Sequence, residues 1–157
     1  NRFDLAIEAF NRLGWRLNII GDGPERRRLL RMARRLVEFL GNQSDEDLRG
    51  YYSKCRALIF PQEEDFGIVA LEAMASGRPV IAYRAGGALE IIKEGLTGLF
   101  FDAQLPESLM QCLKRFNYRD FNNNAIKKYI LDFDKEIFKE KIKRFVEEKY
   151  EEFLKCR

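Results

Sequence analysis

Pro61-Gln62-Glu63-Glu64-Asp65-Phe66-Gly67-Ile68-Val69-Ala70-Leu71-Glu72-Ala73-Met74-Ala75-Ser76-Gly77 stands between two short apolar runs, Ala57-Leu58-Ile59-Phe60 and Pro79-Val80-Ile81-Ala82-Tyr83. Both runs are short, rich in aliphatic residues and bounded by proline or glycine, which reads as buried strand. Between them an acidic loop gives way to a helix predicted over Phe66–Ser76, with Gly77 as its stop. A strand, a helix and a second strand in sequence require a crossover, the connection that joins parallel strands.

Working outward, the same rhythm repeats. Arg16–Ile20 is predicted as a strand ending at Gly21-Asp22-Gly23-Pro24. Pro24 suits the first turn of a helix that sets Leu29, Leu30, Ala33, Leu36 and Val37 on one side. Val37–Leu40 is the next strand, ending at Gly41. Ser44-Asp45-Glu46-Asp47 is a capping box opening a helix through Lys54. Ahead of all this, Phe3–Leu13 carries a helical apolar face. Downstream, Gly86-Gly87 leads into a helix over Ala88–Lys93, and Gly98–Phe101 is the last strand. The fold class is α/β, a parallel sheet with helices on both faces.

From about Leu105 the strands stop. Pro106–Phe116 is helical, Asn122-Asn123-Asn124 breaks the chain, and Asp134 caps a long helix striped with Ile137, Phe138, Ile142, Phe145, Val146, Tyr150, Phe153 and Leu154. Residues 1–116 therefore read as one sheet domain and 117–157 as a helical C-terminal extension that packs on it or on another domain.

The 157 residues suffice for one domain with a core, and 13% aromatic content argues for packing despite 34% charged residues. The chain has no histidine. That excludes imidazole-based nucleophilic triads and His-ligated zinc. Cys55, Cys112 and Cys156 are widely spaced, so a disulfide framework is not expected and the reducing cytoplasm is the predicted home. Nothing approaches the run of about 20 apolar residues needed to span a bilayer. Chemistry here falls to carboxylates, hydroxyls, basic side chains and backbone dipoles.

The helix start at Phe66-Gly67 offers the unpaired N–H groups of Gly67, Ile68 and Val69 to an anion such as phosphate. Glu64 lies just ahead of it and Glu72 about one and a half turns inside. Helical side chains lean toward the N-terminus, so both carboxylates flank the tip. A carboxylate accepts hydrogens from neighbouring hydroxyls and repels phosphate. A diphosphate with hydroxyls on both sides, that is a nucleotide-sugar, fits this arrangement. Taken alone, the Glu63-Glu64-Asp65 cluster also reads as simple stabilisation of the helix dipole.

Glu64-x7-Glu72 within this stretch resembles the signature of the family 4 retaining glycosyltransferases. Phe3-Asp4-Leu5-Ala6-Ile7-Glu8-Ala9-Phe10, Ile20–Arg26, Val37–Gly41 and Gly86-Gly87-Ala88-Leu89-Glu90 match in the family's order. The resemblance implies a Rossmann-like donor-binding domain, the C-terminal half of a two-domain GT-B enzyme. Glu64 would then contact donor-sugar hydroxyls, as the candidate catalytic residue, and Glu72 the ribose. Asp65, Phe66, Gly67, Ile68 and Val69 would line the sugar and diphosphate site. Asn42 and Gln43 would border the base, and Gly21, Asp22 and Gly23 the cleft floor. No metal or cofactor is implied. The partners implied are a GDP- or UDP-hexose donor, a sugar or lipid-linked acceptor and an N-terminal domain. The segments around Glu64 and Gly77 resemble mannosyltransferase-like members, which points to GDP-mannose.

Family members also carry an Arg and a Lys just before the helix matching Arg2–Phe10. The Lys falls near Asn1, and the strand bearing the Arg, which lies mid-sheet, would precede this sequence. Without those cations diphosphate binding should be weak, and Arg84 is the nearest substitute. Two alternatives remain: a non-catalytic module of the same fold that binds a partner, and a nucleotide-sugar epimerase of the same architecture.

Other patterns read more plainly. Gly21-x-Gly23 has Arg26 where a dinucleotide fingerprint needs its third glycine. Asp132-Phe133-Asp134 falls between two helices, where capping is its expected duty. Arg26, Arg27, Arg28, Arg31, Arg34 and Arg35 crowd one predicted helix. A solvated face is the expected reading, with acidic lipid as an alternative; no stacking aromatics interleave, so nucleic acid is not an expected partner. The Lys-rich terminal helix leaves peripheral contact at the inner membrane face open.

Overall fold

The apolar runs form five strands, β1 (Leu17–Ile20), β2 (Val37–Gly41), β3 (Leu58–Phe60), β4 (Val80–Tyr83) and β5 (Gly98–Phe101). They belong to a computed structural model that describes residues 2–155. Asn1 and Cys156 lie outside the described residues. The helices are α1 (Phe3–Leu13), α2 (Arg26–Met32), α3 (Asp45–Lys54), α4 (Ile68–Ala75), α5 (Ala88–Ile91), α6 (Pro106–Arg115), α7 (Asn123–Ile130) and α8 (Lys135–Lys155).

Every ladder is parallel, as the alternation of helix and strand predicts. The ladders are two, however: β1 with β2, and β3-β4-β5. Among the described residues no ladder joins β1 to β3.

One apolar cluster holds the ladders together. Ile19 and Val37 from the first ladder pack with Ile81 and Phe101 from the second, under Leu5, Ile7 and Phe10 of α1 and Leu109 and Leu113 of α6. Burying one such side chain stabilises by about 1.5–3 kcal/mol, so α1 is the main fastener between the ladders. A second cluster covers the opposite face of β3-β4-β5 with Tyr52 of α3, Ala70, Ala73 and Met74 of α4, and Phe121 and Ile126 around α7.

Several boundaries differ from the sequence reading, each for a local reason. The arginine-rich helix is shorter: α2 ends at Met32, Ala33 is extended (φ −69°, ψ 137°), and Arg34 and Arg35 lie in the loop entering β2. Asn11 stabilises that turn, its amide donating to Met32 O (2.8 Å) and its oxygen accepting from Arg34 N (3.0 Å). Only Leu29 of α2 is buried, and Leu30 and Leu36 are exposed. The helix after Gly87 is also short, because Lys93 N–H donates to Thr97 Oγ1 (2.8 Å) in the turn that leads to β5.

The predicted caps form. Ser44 Oγ accepts from Asp47 N (3.1 Å) and Asp134 Oδ1 from Glu136 N (2.9 Å). Asp132-Phe133-Asp134 thus makes a turn and a cap. No described residue of α8 is buried, and Phe138, Ile142, Phe145 and Tyr150 stand exposed along it. Among the described residues, no helix is long and apolar enough to cross a membrane.

Candidate functional site

β3 delivers the chain to buried Pro61, and the loop over Gln62–Phe66 ends at Gly67 in the left-handed conformation (φ +83°). α4 therefore starts at Ile68, two residues later than predicted. A Cβ at position 67 would stand 3.1 Å from the Phe60 ring, so both the backbone conformation and the space call for glycine. Ala70 N–H donates to Gly67 O (3.0 Å) and closes the first turn. The N–H groups of Gly67, Ile68 and Val69 have no acceptor among the described residues. They stand at the positive end of the helix dipole. Glu63 through Val69 line an open hollow of about 480 Å³.

Of the two predicted glutamates only Glu64 lines this hollow, and each is held by its own donor. Tyr52 Oη, on α3, donates to Glu72 Oε2 (3.1 Å), and Gln62 Nε2 donates to Glu64 Oε1 (2.5 Å). Both carboxylates keep an oxygen for another partner, and Glu72 is exposed while Glu64 is half-buried. Burial and the adjacent Glu72 charge push the Tyr52 phenol pKa well above its ordinary value of 10.0. Tyr52 therefore stays a protonated donor at neutral pH.

That shift makes a prediction with a definite sign. A raised pKa in the folded state gives stability that is intact below the unfolded value and lost as pH rises above it. Burial raises the Cys55 thiol pKa from 9.0 in the same sense. Unfolding free energy should thus fall from about pH 9 upward, measured by urea melts across alkaline pH. Tyr52→Phe should flatten the upper part of that fall. At neutral pH it should cost only about 1 kcal/mol, because the exposed Glu72 carboxylate recovers water in place of the lost hydrogen bond.

The acidic loop rests on the β4–α5 turn. Gly87 N–H donates to Glu64 O (2.7 Å), and a Cβ on Gly87 would lie 2.3 Å from Asp65 O. A second tether runs through Gln104, whose Nε2 donates to Pro61 O (3.3 Å) and whose Oε1 accepts from Arg2 Nη1 (2.9 Å). Sequence reading placed none of Tyr52, Gln62, Gln104 and Arg2 at the site. Gly86-Gly87, noticed there only as a helix lead-in and a family match, is the one part of this support that a local pattern flagged.

The remaining sequence candidates lie at the carboxyl ends of β1 and β2. Gly21 N–H donates to Gly41 O (2.8 Å), which ties those two ends together. Asp22 Oδ1 accepts from Gly23 N (2.8 Å) and faces Arg26 at 3.7 Å. Asn42 is exposed, and Gln43 Nε2 donates to Leu40 O (2.6 Å). None of these lines the hollow, which gathers Glu64, Asp65, Phe66, Gly67, Ile68 and Val69. Arg84 does not reach the hollow either. Its guanidinium pairs with Asp102 (2.5 Å) and Glu94 (3.0 Å) and lies over the Phe100 ring, so it is committed to the β4–β5 edge.

Residues 1–129 match the family model described as glycosyl transferases group 1. This chain belongs to that family. The group 1 chain is 31% identical over 141 residues to an uncharacterized glycosyltransferase of Methanocaldococcus jannaschii, covering 87% of this chain and 39% of that relative. It is 40% identical over 87 residues to a GDP-mannose-dependent alpha-mannosyltransferase of Corynebacterium glutamicum, covering 55% and 21%. Among solved structures it is similar to Anabaena HepE in complex with UDP and glucose, with a TM-score of 0.74 and 20% identity over 92% of this chain and 44% of HepE. It thus spans about two fifths of the first relative's length.

Proposed function

We propose that this chain is the donor-binding half of a retaining glycosyltransferase and that the tip of α4 holds the diphosphate of a nucleotide-sugar. One observation carries the reading: three N–H groups without an acceptor at a glycine-opened helix start, in a hollow that Glu64 lines, with Glu64 and, further along the same helix, Glu72 each held by a donor. Backbone N–H groups and the helix dipole take the phosphates, Glu72 accepts from the ribose, and Glu64 accepts from the sugar. The base lies toward Asn42 and Gln43, and Gly21-Asp22-Gly23 forms the floor.

In this reading the chain moves no proton with its own imidazole, since it has none. Its residues stabilise charge on the leaving diphosphate and orient the sugar, and the donor's phosphate serves as the base for an acceptor hydroxyl on the same face. Fixed dipoles aimed at a developing anion are the strongest catalytic device open to such a site. No metal is required. Residues 1–116 form the donor unit, and the exposed stripe of α8 in the 117–157 extension packs on an N-terminal domain that brings the sugar or lipid-linked acceptor. The GDP-mannose dependence in the name of the Corynebacterium relative supports a mannosyl donor; the UDP in the HepE structure supports the wider class of nucleotide-hexoses.

Arg84's commitment to Asp102 and Glu94 favours weak binding by this chain alone, and with it the second reading, a partner-binding module without activity. Calorimetry with GDP, UDP, GDP-mannose and UDP-glucose separates the two. The proposal expects saturable binding of at least one, with the nucleotide-sugar held more tightly than its nucleoside diphosphate. No saturable binding by the chain joined to its N-terminal half would leave only the module reading.

A further inference from the structure

Some of the arginines are answered by a carboxylate. Arg2, Arg12, Arg26, Arg28, Arg84 and Arg115 all form ion pairs. Of those with no carboxylate in ion-pair distance among the described residues, Arg16, Arg31, Arg34 and Arg35 are exposed. The fold gathers them. Leu17 N–H donates to Leu36 O (2.9 Å), which sets Trp15-Arg16 beside Arg35-Leu36 where the chain enters β1 and β2. Asn11 pins the Arg34 loop to α1 through the two bonds already described. Phe10, Gly14, Arg34, Arg35 and Leu36 bound a shallow hollow of about 280 Å³ there.

Apolar groups are exposed in the same place. Trp15 is 42% and Leu36 37% exposed, although both are large side chains that could have turned inward. The sequence reading favoured a solvated arginine helix, with acidic lipid as an alternative, and did not bring Trp15 to it, because the break at Met32 and the approach of Trp15 are tertiary facts. Opposite signs also sit at opposite ends of the strands. The loops and first helical turns after the strands carry Asp22, Asp45, Glu46, Asp47, Glu64 and Asp65, while the entries to β1 and β2 carry Arg16, Arg34 and Arg35.

We infer that this strand-entry patch docks on an anionic phospholipid leaflet. Arginines meet the phosphates, Trp15 sits at the level of the headgroups, and Leu36 dips below them. Unanswered guanidinium groups around an exposed Trp and Leu match a charged interface with an apolar layer beneath. RNA would match the charge and leave Leu36 in water, and it would ask for more stacking rings than one. The acidic strand-exit end is repelled by the same leaflet, which orients the chain with the α4 tip facing away. Strands of four or five residues separate the two ends by about 15 Å, so docking leaves the tip open.

Trp15 is the only tryptophan, so its emission reports on this patch alone. The experiment mixes the whole chain with vesicles of phosphatidylcholine, with and without phosphatidylglycerol, and follows both sedimentation and Trp15 emission. The inference expects sedimentation and a blue shift with the anionic vesicles only, weakened by salt. Each arginine near an anionic surface is worth on the order of fivefold in binding, so Arg34→Gln with Arg35→Gln should lose about 25-fold. Both side chains are exposed, and circular dichroism should show the variant folded. Sedimentation without a shift in Trp15 emission would place the contact elsewhere, for instance on α8, and overturn the inference. Equal binding to neutral vesicles, full binding by the double variant, no binding at all, or arginine-dependent binding of single-stranded RNA in place of vesicles would overturn it too.

Discussion

Gly87→Ala is expected to cost about 3 kcal/mol of stability and to disable the α4 tip. The added Cβ would lie 2.3 Å from Asp65 O, 2.7 Å from Asp65 C and 2.8 Å from Phe66 Cα. All three are backbone atoms, so no side chain can swing aside to relieve the overlap. Gly87 has φ −60°, a value open to any residue, and the effect is therefore steric alone. Overpacking a well-filled site commonly costs 1–3 kcal/mol, and rigid backbone on both sides puts this case at the upper end. The alternative is that the loop retreats, which breaks the bond from Gly87 N–H to Glu64 O and moves Glu64 with it. In a chain of this size about 3 kcal/mol lowers the melting temperature by roughly 10 °C. Gly23→Ala serves as the control, since nothing lies within 4 Å of its Cβ position, and its melting temperature should stay close to wild type. Two coincident melting curves for Gly87→Ala and wild type would show that the loop does not rest on this turn.

That contact also marks where sequence reading stops. The strands were legible because each is a short apolar run with a breaker at one end, and Gly98–Phe101 was read to the residue. Caps were legible because Ser44 and Asp134 act on N–H groups two or three positions away. The division of the strands into two ladders was not, because pairing depends on partners tens of residues distant. The end of α2 was missed for a similar reason. Leu30 and Leu36 keep the helical spacing, and only Asn11, over twenty residues earlier, turns the chain after Met32.

The candidate site divides along the same line. Glu64, Gly67 and Val69 share one local segment, so the sequence places them around one helix tip. Their support comes from α3, from the β4–α5 turn and from Gln104, which no local pattern connects to Glu64 or Glu72. The substitute cation was missed because Arg84 sits beside two carboxylates, and Asp102 and Glu94 are neighbours only across the β4–β5 edge. A guanidinium already holding two carboxylates gains little by exchanging them for a diphosphate.

Glu72→Ala carries the second large effect, now on binding. In the proposed site its free carboxylate oxygen accepts from ribose hydroxyls, and hydrogen bonds to a charged group contribute about 1.5–3 kcal/mol. Affinity for the nucleoside diphosphate should therefore drop by roughly 10- to 150-fold, and affinity for the nucleotide-sugar by the same factor. Glu64→Ala should behave differently, because its partner is the sugar: the nucleotide-sugar loses affinity while the nucleoside diphosphate keeps it. Tyr52→Phe should fall between, since it removes the hydrogen that aims Glu72 and leaves the carboxylate in place. Its loss should be several-fold, and a 2′,3′-dideoxy nucleotide should not feel it. Glu72→Ala also takes the acceptor from the Tyr52 hydroxyl and should cost about 1 kcal/mol of stability, too little to unfold the chain, so the calorimetric difference can be assigned to binding. Equal losses for both ligands in both glutamate variants would make the two carboxylates general electrostatic neighbours of the helix tip, and the division into a ribose side and a sugar side would have to be given up.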